Sequence, residues 1–501
     1  MLDNFYKNLK SGTDIRGVAV DGVPNEPLTL SDEVTYKIAQ GFAQWLFDEF
    51  GRKEDFTVAV GHDSRISANR LKNVFIESLI SAGMSVKDCG LSSTPAMFMT
   101  TVDFGCDAAV EITASHHPFN KNGFKFFVRK GGLEASDIEK ILKYAQDNVS
   151  YEAPQQGDVE EELYMNIYSQ KLREFICQEV NADDYARPLR GFKIIVDAGN
   201  GAGGFYADKV LAPLGADING SQFLEPDGLF PNHTPNPENA QAMHSISKAT
   251  TANEADLGII FDTDVDRAAC VGKNGKEINK NALIALAACI ALEGNEGGTI
   301  VTDSVTSSGL KDFLELNLGA KHHRFKRGYK NVINEALRLN RECCTNAPLA
   351  IETSGHAAMR DNYFLDDGAY LITRIIIKMA QLAKEGKTLE SLIETLIEPL
   401  EAQELRIKIL APDFKEYGNK VINDLEKFVD NSEIFEKAQD SFEGIRSSSN
   451  EFDGWFMLRL SVHDPILPLN IESNKKGGAD NIKEEIKNFL KSYDMLDISS
   501  L

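Results

Sequence analysis

The sequence predicts an α/β protein assembled from several similar units. Three observations carry this. Apolar runs of strand length alternate with longer helical patterns. Polar loops follow the ends of those runs, where open α/β sheets place chemistry. The 501 residues, 42% of them hydrophobic, are enough for several domains with large cores.

The elements follow in order. Phe56-Thr-Val-Ala-Val60 reads as a strand leading into Gly61-His-Asp-Ser-Arg65, and a helical pattern covers 69–82. Asp107-Ala-Ala-Val-Glu-Ile-Thr113 reads as a buried strand. Lys193-Ile-Ile-Val-Asp197 leads into the glycine-rich run 199–204 and then another helical pattern. That run lacks the lysine of a phosphate-binding P-loop and the spacing of a dinucleotide loop, so it reads as a tight packing turn. Leu257-Gly-Ile-Ile-Phe261 leads into an acidic loop, and Thr299-Ile-Val-Thr302 leads into Asp303-Ser-Val-Thr-Ser-Ser-Gly309. The C-terminal part differs: Glu404-Leu-Arg-Ile-Lys-Ile409 alternates as a strand, helical segments follow, then Gly454-Trp-Phe-Met-Leu-Arg-Leu-Ser461, and an amphipathic helix covers 482–493. Breaks fall in the polar stretch 150–159, near 273–276 and near 398–401, giving expected domains 1–155, 156–272, 273–397 and 398–501.

A formal net charge of −23 disfavours nucleic acid and anionic membrane as partners. It also means that an anionic substrate needs a local basic site. No apolar run is long enough to cross a bilayer, and the first residues lack the apolar stretch of a signal peptide. The seven cysteines are scattered, and Cys343-Cys344 is adjacent without metal-ligand spacing. Reduced thiols and a cytoplasmic location are expected, with an organelle stroma as the alternative if a transit peptide has been removed.

The densest chemistry lies in Thr113-Ala-Ser-His-His-Pro118 and the run that follows it to Lys125. One hydroxyl (Ser115), two imidazoles (His116 and His117) and one lysine sit between apolar runs. Asp262, Asp264 and Asp266 alternate in the loop after 257–261. Three carboxylates after a buried strand are electrostatically costly without a cation, and an all-oxygen set suits Mg²⁺ over Zn²⁺. The glycine and distal glutamate of an EF-hand are missing at the required spacing. Glu352-Thr-Ser354-Gly-His356 can hydrogen-bond vicinal sugar hydroxyls, and His356 can move a proton near neutral pH; a capped helix start is the bland reading. Gly12-Thr-Asp-Ile-Arg16-Gly17 offers a phosphate-suited arginine between glycines, and Lys326-Arg-Gly-Tyr-Lys330 is a basic cluster in an acidic chain.

In order along the chain, Gly12-Thr-Asp-Ile-Arg-Gly17, Thr113-Ala-Ser-His-His-Pro118, the segment 226–237, Asp262-Thr-Asp-Val-Asp-Arg267, Glu352-Thr-Ser-Gly-His356 and Arg459-Leu-Ser461 resemble the α-D-phosphohexomutase superfamily, in particular its phosphomannomutase/phosphoglucomutase group. The resemblance implies three similar mixed α/β domains and a C-terminal TATA-binding-protein-like α+β domain around a central cleft. It implies an Mg²⁺-dependent enzyme that interconverts hexose 1-phosphate and 6-phosphate (glucose or mannose) through a phosphoserine and a hexose 1,6-bisphosphate. Ser115 would carry the phosphoryl group, and Asp262, Asp264 and Asp266 would bind Mg²⁺ together with the phosphoserine. Arg16, His116, Lys125, Arg267 and His356 would surround the reacting phosphate or move protons. Lys330, Glu352, Ser354, Arg459, Ser461 and His463 would bind the sugar phosphate. A monomer or homodimer is expected. The alternatives are a phosphoglucosamine-type mutase, a catalytically weak sugar-phosphate-binding protein, and a phosphatase using Asp262 as nucleophile.

The chain departs from the family pattern at three places. His117 stands where Asn is usual, and Thr353 where the mannose/glucose mutases commonly have Met. The phosphate loop usually reads Arg-x-Ser-(Gly/Asn)-Thr-Glu-Pro followed by another Arg; here Val462 follows Ser461, and Pro468 stands at the later arginine. Arg446 or His463 is expected to compensate.

Overall fold

The computed structural model describes residues 1–52, 56–461 and 464–501. The chain divides into two compact units, Met1–Asn279 with Ser354–Ser391, and Lys280–Thr353 with Leu392–Leu501.

The first unit contains two sheets and a hairpin. In the larger sheet the strands Ala108–Ile112, Thr57–His62 and Ser85–Leu91 run parallel in that spatial order. Lys121–Val128 pairs antiparallel with Ala108–Ile112 and with Asp14–Val18. Ala108–Ile112 is buried along its whole length, which is why it reads as a continuous apolar run interrupted only by Glu111. The helices Asp32–Phe50, Ala68–Ser81 and Ala135–Gln146 contribute Phe42, Phe75 and Ile141 to its core. Ser31 starts the first of these helices by accepting the Val34 N–H, and Ser93 does the same for Thr94–Asp103.

The smaller sheet pairs Ile194–Asp197 in parallel with Leu257–Phe261, which turns back antiparallel into Ala268–Gly272. The acidic loop is therefore the connection of a buried hairpin, with Phe261 facing Ala268 in register. The glycine run 199–204 is the packing turn expected of it: a Cβ on Gly201 would lie 2.7 Å from the Thr263 carbonyl. The run itself ends in a short 3₁₀ turn, Ala202–Gly204, and the helical pattern after it is realised as a π-helical turn, Tyr206–Leu211. The hairpin of Ala357–Met359 and Leu365–Asp366 follows the 352–356 motif, so that motif is a turn entering a strand and not a helix start.

In the second unit, Thr299–Thr302 lies between Lys321–Arg324 and Leu349–Ile351, all parallel. The C-terminal part is an antiparallel sheet that includes Ile445–Ser449, Gly454–Leu458, Ile466–Ser473 and Glu401–Ile409, paired successively. Phe414–Asp430 and Gly478–Leu490 supply Val421, Leu425, Ile482 and Ile486 to the core of this α+β layer. Pro468 sits inside Ile466–Ser473; its carbonyl still accepts the Arg459 N–H at 3.2 Å. Among the described residues, no helix is long and apolar enough to cross a membrane.

Candidate active site

Ser115 follows the C-terminal end of Ala108–Ile112 and is buried, at 3% exposure. Its backbone has φ +52°, a left-handed value uncommon for a residue with a Cβ. Thr113 holds it there: the Thr113 Oγ1 accepts the Ser115 N–H at 2.9 Å and donates to Asp63 Oδ2 at 2.7 Å. Ser115 Oγ donates to Asp262 Oδ2 at 3.2 Å and accepts from Arg267 Nη2 at 2.6 Å. The sheets of the first unit thus bring a serine loop and an acidic loop together across 147 positions of sequence.

The acidic loop is itself strained. Val265 is a fully buried, β-branched residue at φ +67°. Its carbonyl is fixed by the Gly368 N–H at 3.1 Å. Asp262, Asp264 and Asp266 are all buried, and each offers one carboxylate oxygen lying within 4.8 Å of the others. Burial, with repulsion from Asp266, raises the Asp262 carboxyl far above its ordinary range. Burial would also raise Asp266, but the charges of Lys125, His356 and Arg267 outweigh it and hold it low.

Lys125 lies in the strand beside Ser115's own, and its ammonium is embedded in the loop, 2.7 Å from Asp264 Oδ2 and in contact with Asp266. Arg267 is 2% exposed and donates through Nε to Asp262 Oδ2 at 3.0 Å and through Nη2 to His116 Nδ1 at 2.6 Å. That bond assigns Nδ1 of His116 as acceptor, so the ring is neutral. Burial and the Arg267 charge agree, pushing the His116 imidazole far below its usual range, while His117 falls to about 3. His356 behaves oppositely. Burial alone would lower it, but the Asp366 and Asp266 carboxylates, 2.5 Å and 3.8 Å from Nδ1, raise it to about 9. Gly355, at φ +94°, permits this approach, since a Cβ there would meet the Ala268 carbonyl at 2.7 Å. Arg16 faces Gly123 in register and pairs with Asp14 at 2.8 Å; its charge adds to the lowering of both histidines.

The residues present fit a hard divalent cation. The donor set is all carboxylate oxygen, and the buried Oδ1 atoms of Asp264 and Asp266 have no hydrogen-bond partner among the described residues.

Ser354 belongs to the first unit, and its buried hydroxyl has no hydrogen-bond partner among the described residues. Lys330, Glu352, Arg459 and Ser461 belong to the second. Glu352 is buried and accepts the Gly328 N–H at 2.6 Å, at the turn that opens the helix Tyr329–Glu342; Lys330 is the second residue of that helix. Arg459 follows the strand Gly454–Leu458, and its buried Nε has no hydrogen-bond partner among the described residues. Ser461 N–H bonds to the Ile466 carbonyl at 3.1 Å, and its hydroxyl accepts from the Asp464 N–H at 3.2 Å. His463 lies outside the described residues.

The expectation for Arg446 fails. Its guanidinium stacks 3.5 Å above the Trp455 ring and donates to the carbonyls of Ser304 at 2.9 Å and Thr306 at 3.0 Å. At 4% exposure it braces the C-terminal sheet within its unit and does not reach for a phosphate. Glu443 acts with it, accepting from Ser304 Oγ and from the Arg327 N–H at 2.9 Å. Asp63, Thr113 and Arg65, to which the sequence alone gives no role, also shape the serine loop. The only available signal was a polar Asp-x-Arg following a buried strand.

Comparison with known proteins shows the family to which the chain belongs. Three family models match: "Phosphoglucomutase/phosphomannomutase, alpha/beta/alpha domain I" over residues 8–152, domain II over 167–275 and domain III over 279–400. A phosphoglucomutase/phosphomannomutase from Thermococcus kodakarensis is 32% identical over 91% of this chain and 94% of its own. A phosphoglucomutase from Neisseria gonorrhoeae is 28% identical over 98% of both chains. The crystal structure of a phosphoglucomutase/phosphomannomutase family protein from Burkholderia thailandensis superposes with a TM-score of 0.80 at 25% identity, covering 98% of both chains.

The chain belongs to the phosphoglucomutase/phosphomannomutase family of the α-D-phosphohexomutase superfamily. It has that family's three α/β domains and a fourth, C-terminal domain, and it is an intramolecular phosphotransferase, a mutase acting on hexose phosphates.

Proposed function

We propose that this enzyme interconverts the 1- and 6-phosphates of glucose or mannose through a phosphoserine at Ser115 and a hexose 1,6-bisphosphate. The observation that carries the reading is the Ser115 hydroxyl, buried 2.6 Å from Arg267 Nη2 and 3.2 Å from Asp262 Oδ2. Asp262, Asp264 and Asp266 would hold Mg²⁺, which supplies positive charge against the transferring phosphoryl group.

In the forward half-reaction a sugar hydroxyl oxygen bonds to phosphorus as the bond from phosphorus to Ser115 Oγ breaks. The sugar hydroxyl loses a proton and Ser115 Oγ gains one. The bisphosphate then turns and returns its other phosphoryl group to Ser115. Charge spreads over the equatorial oxygens of the group in flight, and the fixed guanidinium of Arg267 stabilises it where it develops. His116, kept neutral, orients that guanidinium. His356, kept cationic by carboxylates, and Lys125, whose ammonium touches Asp264 and Asp266, are the groups suited to supply a proton. Arg16 adds positive charge at the same end of the sheet. Glu352 and Ser354 would bind sugar hydroxyls, with Lys330, Arg459, Ser461 and His463 on the non-reacting phosphate.

Nucleophilic attack by Asp262 is not favoured, because its Oδ1 accepts from the Arg267 N–H and its Oδ2 from Ser115 and Arg267 Nε. The phosphoglucosamine alternative has no support in the names of the relatives above. The seven free thiols suit a reducing cytoplasm. A coupled assay with glucose 1-phosphate and mannose 1-phosphate, with and without Mg²⁺ and a 1,6-bisphosphate primer, tests the reading. Turnover of at least one sugar that needs both additions is the expected result. Turnover indifferent to Mg²⁺ and to primer would refute it.

A further inference from the structure

We propose that Arg65 is the positioning residue for the reacting serine, setting the loop that aims Ser115 Oγ at the acidic site. The proposal rests on the reading of Ser115 as phosphoryl carrier.

Arg65 follows the strand Thr57–His62, and its side chain is fully buried. Its fork gathers backbone carbonyls of the serine loop. Nη1 donates to Pro118 O at 2.7 Å and Lys121 O at 2.9 Å; Nη2 donates to His117 O at 2.6 Å and to Ser115 O. Nε lies 3.3 Å from Asp63 Oδ2, and the Phe230 ring covers the guanidinium at 5.2 Å. Asp63 Oδ2 is the oxygen that takes the Thr113 hydroxyl, which in turn takes the Ser115 N–H. Both sides of the Ser115 residue therefore trace to one side-chain pair: its N–H through Thr113 to Asp63, its carbonyl directly to Arg65.

Fixing a residue's N–H and C=O fixes its φ and ψ. Ser115 is at φ +52°, which an L-residue does not hold unless its surroundings impose it. A planar guanidinium can serve four carbonyls at once because its donors point outward in one plane. An ammonium offers three donors from one point and cannot. A buried cation placed only to support the fold needs carboxylate or carbonyl partners of any origin. Here all four carbonyls come from the segment 115–121, which carries the reacting hydroxyl.

The test compares Arg65→Lys, Arg65→Ala and Ser115→Ala in the full chain. Two quantities are read: steady-state turnover of hexose phosphate, and phosphoryl uptake from hexose 1,6-bisphosphate measured by intact mass. Arg65→Lys is expected to lower kcat and the uptake rate about 100-fold, the loss typical of a reacting group misplaced by about 1 Å. Its KM is expected to stay within about two-fold, since substrate binding is not routed through this loop. Added guanidinium ion at millimolar concentration is expected to restore Arg65→Ala at least about ten-fold and to leave Ser115→Ala inactive. If Arg65→Ala does not fold, Arg65→Lys decides alone. A kcat within about three-fold of wild type in Arg65→Lys, or a loss carried entirely by KM, overturns the proposal. Activity retained in Ser115→Ala would instead overturn the serine reading, so the two failures are distinguishable.

Discussion

Arg267 Nη2 lies 2.6 Å from Ser115 Oγ, although 152 positions separate the two residues. The same nitrogen donates to His116 Nδ1 at 2.6 Å, and Nε of the same side chain donates to Asp262 Oδ2 at 3.0 Å. One guanidinium therefore ties the serine, the neutral imidazole and the first aspartate of the acidic loop into a single network.

Replacing that guanidinium tests the network. Arg267→Lys keeps the charge but cannot reach three partners from one point. We expect kcat to fall by about 100-fold or more, with a smaller change in KM, because the interaction is strongest on charge that develops during transfer. Steady-state kinetics on the folded variant checks this; a loss confined to KM contradicts it.

Lys125 and a divalent cation compete for the same carboxylates. The ammonium sits 2.7 Å from Asp264 and touches Asp266. Lys125→Met should destabilise the metal-free protein by about 3–5 kcal/mol, the penalty of uncompensated buried charge. Mg²⁺ should then raise Tm more in Lys125→Met than in wild type, and little or not at all in Asp264→Asn. Thermal melts across a Mg²⁺ series measure all three. Equal shifts in the three proteins would refute cation binding at this loop.

Two arginines of the C-terminal region should separate cleanly. Arg446 is spent on Trp455 and two carbonyls, so Arg446→Ala should lower stability by about 3 kcal/mol and leave the KM of the folded fraction unchanged. Arg459→Gln should raise KM for hexose phosphate about ten-fold or more, the worth of a charge-assisted bond to phosphate. Urea unfolding and initial rates give both numbers. A KM effect in Arg446→Ala without loss of stability would restore the phosphate-binding role for that residue.

Stability should decline with rising pH through a carboxyl outside the active site. Burial, opposed by the Trp455 N–H bond at 2.9 Å and by Arg446, lifts Glu472 from its ordinary 4.5 to about 7. The folded state then binds this proton more tightly than the unfolded chain. Its contribution is fully present below the ordinary value and is lost as pH rises through about 7. Unfolding free energies at about pH 5 and about pH 8 should differ less in Glu472→Gln than in wild type. An identical pH slope in the two proteins would show that this carboxyl is not held neutral.

Much of this was legible because the informative residues lie at strand ends. The strand ahead of Ser115, the strand ahead of Asp262 and the strand ahead of Glu352 are short apolar runs, and each motif sits just past one. What could not be read was partnership across the sheets. Nothing in the local sequence says that Lys125 is embedded between Asp264 and Asp266, or that Arg65 serves four carbonyls of another loop. The error over Arg446 has the same origin. Its sequence neighbourhood suggested a phosphate ligand, while Trp455 and the Ser304 and Thr306 carbonyls, distant in sequence, decide what the guanidinium does. The helical pattern after Gly204 is present as a π-helical turn, Tyr206–Leu211, and its type is set by packing that the local spacing does not carry.

The most direct test of the central claim is where phosphate goes. Dephosphorylated enzyme incubated with glucose 1,6-bisphosphate and Mg²⁺, then analysed by intact mass and peptide mapping, should gain one phosphoryl group on the peptide containing Ser115, and Ser115→Ala should gain none. A phosphoryl group found on Asp262, or full turnover in Ser115→Ala, would contradict the account.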